Sequence, residues 1–300
     1  MSTTAVHRLT LPRLLAQDAV QGPPPVPADL RGLLGDAGLT ELAAELGRPA
    51  SRVLVISGDG DPTCHNNETV LRRAPRLVEE GLGHLDTVLR RSSSARPLAV
   101  SAEALGQIAL IARYGAAWFR AIGTPEAPGS VLCTVHTGSG LPQVVETAVG
   151  TPVRALLRGE DARAARAVLL GGVTGVWLPA HRALEARWEP QGEGARVIAV
   201  LPAGHCGVAE TNRLLRLAAP RCRGRVAQMA AALDDLSAPG AFDAVVRWST
   251  QSAVRVDDAA THAAARLLLS ALATFPEEFE AHAAGRCTAR TEPMTGIEPA

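Results

Sequence analysis

The chain of 300 residues reads as a mixed α/β protein of the α+β kind, and three observations predict this. Compact apolar runs, RVLVIS (52–57), AVLLGGVTGVWLP (167–179) and RVIAVLP (196–202), have the length and composition of buried strands. The stretch SVLCTVH (130–136) alternates apolar and polar residues, and a Gly/Pro turn then leads to Val144 and Val145, as in two half-buried strands. By contrast, 102–123 and most of 206–282 place apolar side chains at helical spacings.

Residues 1–28 are expected to be a disordered lead-in, because Pro23, Pro24, Pro25 and Pro27 allow only extended or polyproline-like chain. From 29 to 46, Leu30, Leu33, Leu34, Leu39, Leu42 and Leu46 mark the buried side of one or two short helices. The run 52–57, bounded by Pro49 and Gly58, is predicted to be a buried parallel strand. It leads into GDGDPTCHNNETVLRRAPRLVEEGL (58–82), a polar strand-to-helix turn in which Asp59 or Asn67 caps a helix over 68–81. A connecting helix is predicted within 98–128, with Leu105, Ile108, Ile111, Trp118 and Phe119 on its apolar side and Gly123 as its stop. A β-rich middle follows over 129–185, interrupted by a short helix at EDARAAR (160–166). The strand 196–202 then opens a helical bundle over 196–285, with helices at 206–217, 226–236, 241–248 and 257–282 joined in part by SAPG and STQSAVRV. Phe275 and Phe279, at i and i+4, read as core, and the polar tail 286–300 is expected to be disordered.

Charge and composition exclude several functions. Lys+Arg and Asp+Glu are 30 each, with no basic cluster interleaved with aromatics, so nucleic-acid binding is not expected. Every one of the 30 basic residues is arginine, so mechanisms that need an ammonium, such as Schiff-base chemistry or a P-loop lysine, are closed to this protein. No run reaches the roughly 18 apolar residues of a membrane span, and no signal peptide is recognisable, so a cytoplasmic protein, at most peripheral to a membrane complex, is expected. Cys64, Cys133, Cys206, Cys222 and Cys287 are odd in number, widely spaced and without a CxxC, which argues against a disulfide framework. Three Cys–His pairs, Cys64 with His65, Cys133 with His136 and His205 with Cys206, would supply metal donors if the fold brought them together. Gly138, Ser139 and Gly140 do not fit a nucleophile elbow, since Thr137 stands where it needs glycine, and they read as a turn. His136, Ser139 and His181 are the polar residues available there for a ligand or partner.

The order of these segments resembles the flavoprotein subunit of NADH-quinone oxidoreductase, the NADH dehydrogenase flavoprotein 1 family. The matching residues are 101–105, 109–115 (ALIARYG), Trp118-Phe119, Gly123-Thr124, Pro128-Gly129, Gly150-Thr151-Pro152, 169–177 and 206–217 (CGVAETNRLLRL), within a likeness that spans roughly 53–287. The resemblance implies a Rossmann-like flavin- and NADH-binding domain, a β-grasp domain of the SLBB type and a helical iron–sulfur-binding region. Its cofactors are FMN, NADH and a 4Fe-4S cluster, and its partners are other electron-transfer subunits.

The sequence departs from that family where the cofactors are held. The family's glycine-rich loop, whose backbone approaches the flavin phosphate, is matched here at most by Gly35, Gly38 and Leu39. Asp59, Gly60 and Asp61 occupy the family's acidic loop against flavin and nicotinamide, with one residue deleted after Asp59 and Asn66 in place of a lysine. They are the candidate remnant of a nucleotide-binding loop. The link 82–97 replaces most of a Rossmann-like domain, although each βαβ unit alone needs about 30 residues, so 29–97 is a truncated remnant. The family's cluster is ligated by a C-x2-C-x2-C run and a fourth cysteine about 40 residues on; here those positions hold Ala219, Cys222, Arg225 and Val254. Cys222 is the one surviving ligand position, and one thiolate cannot hold a cubane. The resemblance with these departures implies a protein without FMN or cluster, a pseudoenzyme acting as a binding or assembly component beside a protein partner. The alternative is an NADH-oxidising electron-transfer subunit that binds FMN and a 4Fe-4S cluster through altered ligands.

Overall fold

A computed structural model describes residues 13–15, 27–93, 95–138, 140–189, 195–222, 224–254, 258–287 and 289. Ser139 and most of the expected lead-in and tail lie outside the described residues. The described residues form a small parallel sheet, a larger mixed sheet and a C-terminal group of helices. They divide into two compact units, one drawn from Met1–Asp59, His65–Cys133 and Val144–Thr151, the other from Gly60–Cys64, Thr134–Gln143 and Pro152–Ala300.

In the first unit the leucine-rich stretch after residue 29 forms two helices, α1 (Leu30–Ala37) and α2 (Thr40–Leu46). The Asp29 carboxylate accepts from the Gly32 N–H at 2.8 Å and starts α1. A β-α-β element follows: β1 (Val53–Ile56), α3 (Asn66–Arg73), α4 (Pro75–Val88) and β2 (Leu98–Ser101). The two strands pair in parallel, from Val53 opposite Leu98 to Ile56 opposite Ser101. Three expectations are corrected here. The helix predicted over 68–81 is two helices, because Pro75 has no N–H to continue α3 and instead opens α4. The strand at 52–57 is not buried: Leu54 and Ile56 are 43% and 37% exposed, since a two-stranded sheet has little to cover its second face. And 98–101, assigned to a connecting helix, is a strand.

Ser101 then caps α5 (Ala102–Tyr114), its hydroxyl accepting from the Ala104 N–H at 3.1 Å. The helix ends at Gly115, at φ 83°, rather than at Gly123, and α6 (Ala116–Phe119) follows. Leu105, Ile108 and Ile111 of α5 are fully buried at the centre of this unit's core. Arg13–Leu15, inside the expected disordered lead-in, are also buried. The Arg13 guanidinium lies 3.3 Å from the Trp118 ring and donates to the Trp118 and Phe119 carbonyls. The Leu14 and Leu15 N–H groups donate to Glu146 Oε2 at 2.6 and 3.1 Å. A charge-assisted anchor at each end of three residues offsets the entropy of ordering them.

The strands of the middle are β3 (Ser130–His136), β4 (Gln143–Ala148), β5 (Ala165–Leu170), β6 (Val176–Pro179) and β7 (Val197–Pro202). Short helices α7 (Val153–Leu156), α8 (Gly159–Ala164) and α9 (Ala180–Ala183) and a 3-10 turn at Gly172–Thr174 connect them. In the second unit the end of β3 runs parallel to β7, which is antiparallel to β5, which is antiparallel to β6. The expected in-out alternation of β3 is corrected: Leu132 to His136 are all buried. Its polar residues find partners indoors, as His136 Nε2 does 2.7 Å from the Thr63 carbonyl.

The C-terminal helices are α10 (Gly207–Ala218), α11 (Arg225–Asp234), α12 (Ala241–Val254), α13 (Ala259–Thr274) and α14 (Pro276–Ala283). The predicted loop STQSAVRV instead carries α12 on to Val254, its Ser249 and Thr250 hydroxyls donating back to the Val246 carbonyl. The single helix predicted over 257–282 is split at Phe275–Pro276 by the same proline chemistry as at Pro75. Leu169, Trp177, Ala199 and Leu201 of the sheet pack with Leu214, Leu233, Leu268, Phe275 and Phe279 in one buried core. Phe275 meets Trp177 edge to face at 5.4 Å. No described helix is long and apolar enough to cross a membrane.

Candidate metal centre

The residues of the acidic loop are each held by their own unit. In the first, the Asp59 carboxylate accepts from the Asn67 backbone N–H at 2.9 and 3.2 Å and from Asn67 Nδ2 at 2.8 Å, which fixes the first turn of α3. This is the capping role expected of a polar strand-to-helix turn. In the second, Asp61 is buried; its Oδ1 accepts from the Thr63 N–H and hydroxyl at 2.8 and 2.5 Å, and its Oδ2 from the Val173 N–H at 2.9 Å. Gly172 permits that approach, since a Cβ there would lie 2.4 Å from Asp61 Oδ2. Gly60 sits between them at φ 73°. Of the other predicted polar residues, His136 is buried and hydrogen-bonded, and His181 is exposed on α9.

The predicted cluster positions all lie after α10. Ala219 opens a 3-10 turn over Ala219–Arg221, Arg225 begins α11, and Val254, 79% exposed, ends α12. Cys222 is half-buried, its N–H donating to the Ala219 carbonyl at 3.0 Å and its thiol to the Ala218 carbonyl at 3.3 Å. Burial, and then Asp258 nearby, pushes that thiol up from its ordinary value.

A different set of donors converges. Among the described residues, Cys206, His282 and Cys287 place one ligand atom each within 4.8 Å of one another, and Cys206 Sγ is 3.2 Å from His282 Nε2. Of the three Cys–His pairs predicted, only Cys206 contributes to this group. Cys206 follows β7 and is the N-cap of α10, its sulfur accepting from the Ala209 N–H at 3.3 Å. His282 lies in the last turn of α14. Beyond it Gly285, at φ 71°, reverses the backbone: its N–H donates to the His282 carbonyl at 3.0 Å, and the Arg286 N–H reaches the Ala281 carbonyl at 2.9 Å. That pair of bonds is a Schellman ending, and it returns the exposed Cys287, assigned to the disordered tail, to the helix it has just left.

The start of α10 and the body of α14 are tied independently of any ion. Glu278 accepts from the Gly207 N–H at 2.7 Å and pairs with Arg166, which also donates to the His205 carbonyl at 2.8 Å. Glu278 is thereby used, and is not a fourth donor. Burial pushes the Cys206 thiol up to about 12, with Cys287 and Glu278 acting in the same direction and the Ala209 N–H against it. Burial likewise lowers His282 from its ordinary value, opposed by Glu278. The sequence signals for this group were Gly285 as a helix C-cap and the His282-x4-Cys287 spacing that it folds back.

No family model and no curated protein sequence matches this protein. Solved structures do. A chain of NAD+-reducing [NiFe]-hydrogenase in the H2-reduced state matches with a TM-score of 0.69 at 16% identity, over 84% of this chain and 62% of that one. The air-oxidized state of such an enzyme matches with a TM-score of 0.67 at 17% identity, over 89% and 64%. The protein shares their fold. It spans a little over three-fifths of the length of those hydrogenase chains.

Proposed function

We propose that this protein is a shortened relative of the flavoprotein subunit of NADH-quinone oxidoreductase, acting as a binding or assembly component of an electron-transfer system and holding neither FMN nor a 4Fe-4S cluster. The observation that carries this reading is the donor set at the cluster positions. Ala219, Cys222, Arg225 and Val254 offer a single thiol, and a cubane is held by four. The residues therefore do not fit the cluster, although the helices around them are folded and packed. FMN fits no better: the glycine-rich loop has no counterpart, and the Asp59 and Asp61 carboxylates accept hydrogen bonds from the protein itself. The parallel sheet ahead of α5 has two strands, short of a nucleotide-binding half-domain.

The electron-transfer setting rests on the fold likeness to chains of NAD+-reducing hydrogenases together with the motifs at 101–119 and 206–217. In this reading 29–97 is the remnant of the flavin domain, 129–185 the SLBB-like part and 196–285 the former cluster-binding bundle, with another electron-transfer protein as partner. The test is a UV-visible spectrum of anaerobically purified protein, with flavin, iron and acid-labile sulfide quantified on the same sample. No flavin bands, no sulfide and no thiolate-to-iron absorption are expected. Stoichiometric flavin or iron with sulfide would instead favour an active NADH-oxidising subunit with altered ligands.

A further inference from the structure

Cys206, His282 and Cys287 bring two sulfurs and one imidazole nitrogen together from two helices and the turn that ends the second. Thiolate with imidazole is the donor chemistry of zinc, which takes sulfur at about 2.3 Å and nitrogen at about 2.0–2.1 Å in tetrahedral geometry. Ligands so arranged stand about 3.5–3.8 Å from one another, so the observed 3.2 Å between Cys206 Sγ and His282 Nε2 needs only a few tenths of an ångström of adjustment. We propose that these three residues bind one zinc ion, which joins the N-terminus of α10 to the end of α14 and keeps its fourth position open to water or to an incoming ligand.

Two features of the surroundings support a built site. The backbone holding the donors is set by other forces: Cys206 by its capping bond to Ala209, Cys287 by the Schellman turn at Gly285, and both helices by the Glu278 bridge to Gly207. Little ordering remains for the ion to impose. Zinc takes both cysteines as thiolates, so its entry releases their protons to solvent. Second, Cys287 is exposed, which opens the site to solvent and leaves a coordination position that no described carboxylate or imidazole fills. A closed structural site has four protein ligands, whereas three with an open position is the pattern of zinc that binds or activates something.

The inference stands apart from the question of FMN and the 4Fe-4S cluster, since none of the three donors is at a family cluster position. It is tested on the full-length protein, reduced and stripped of metal, by titration with zinc alone and by cobalt substitution. One equivalent of zinc is expected to bind with release of protons, and cobalt to give tetrahedral d–d bands with a thiolate-to-cobalt charge-transfer band. Cys287→Ser, at an exposed position, is expected to keep the fold and to weaken zinc binding at least about tenfold. His282→Asn is expected to do the same and to shift the cobalt spectrum, whereas Cys222→Ser binds as the parent does. The proposal is overturned if the reduced protein takes up no zinc, or if Cys287→Ser and His282→Asn bind it as tightly as the parent. Loss of binding in Cys222→Ser would equally overturn it.

Discussion

Two cysteines of the same helical region, Cys206 at the N-terminus of α10 and Cys222 after the 3-10 turn that follows it, have opposite surroundings. Cys222 sits in a sequence context that resembles a cluster motif, but its neighbours at the motif spacing are Ala219 and Arg225. Its thiol donates to the Ala218 carbonyl at the end of α10. Cys206 has no cysteine near it in sequence, yet it meets His282 and Cys287 from the far end of the sequence. Motif spacing reports ligands only when the whole set lies on one local segment. A set assembled from separate elements is invisible to it: the local positions here offer one thiol, while Cys206, His282 and Cys287 converge from separate segments.

The contrast can be broken most severely through the core that positions α14. Phe279 is completely buried one turn before His282. Phe279→Ala is expected to cost about 3–5 kcal/mol of stability and to abolish zinc binding. Urea unfolding followed by circular dichroism measures the first, and zinc titration below the transition the second. A stability loss under about 1 kcal/mol would show that the core closes around the gap, and α14 would then not depend on it.

A smaller perturbation separates the turn from the helix. Gly285→Ala places a Cβ in a left-handed conformation at φ 71° without a steric neighbour closer than 3.9 Å. It is expected to cost about 1 kcal/mol and to weaken zinc binding selectively by loosening Cys287 from His282. Thermal unfolding in the presence and absence of zinc reads both effects. An unchanged zinc-dependent rise in Tm would mean that the Schellman turn does not place Cys287.

At Cys222 the expected effect is the smallest. Cys222→Ser should change stability by no more than about 0.5 kcal/mol, because the residue is half-buried and its one side-chain bond is to a helix carbonyl. Its raised thiol value leaves less thiolate at neutral pH, so iodoacetamide should modify Cys287 before Cys222 in the metal-free protein. Mass spectrometry of timed samples gives that order, and faster modification of Cys222 would sharpen the contrast in the other direction.

Much of the fold is legible in the amino-acid sequence. The strands 53–56 and 197–202, helices α1, α2, α10 and α11 and the start of α5 lie where apolar periodicity and capping residues put them, because those signals act within one element. The prolines at 75 and 276 were equally local, and each divides what periodicity alone joins into one helix. The misread elements are those whose state depends on partners. Leu98–Ser101 is a strand because β1 lies beside it, and β3 is buried from Leu132 to His136 because the molecule satisfies its polar side chains inside.

For the candidate site the division is sharper. The identity of the residues at the four positions that resemble cluster ligands, Ala219, Cys222, Arg225 and Val254, is legible in the sequence alone, and so is the chemical fact that one thiol cannot do the work of four. Only the tertiary structure decided that Cys206 and His282, 76 residues apart, stand 3.2 Å from each other. Donor number is a property of composition, whereas donor convergence is a property of packing: α10 and α14 share one buried core, and the Glu278 bridge fixes their ends together.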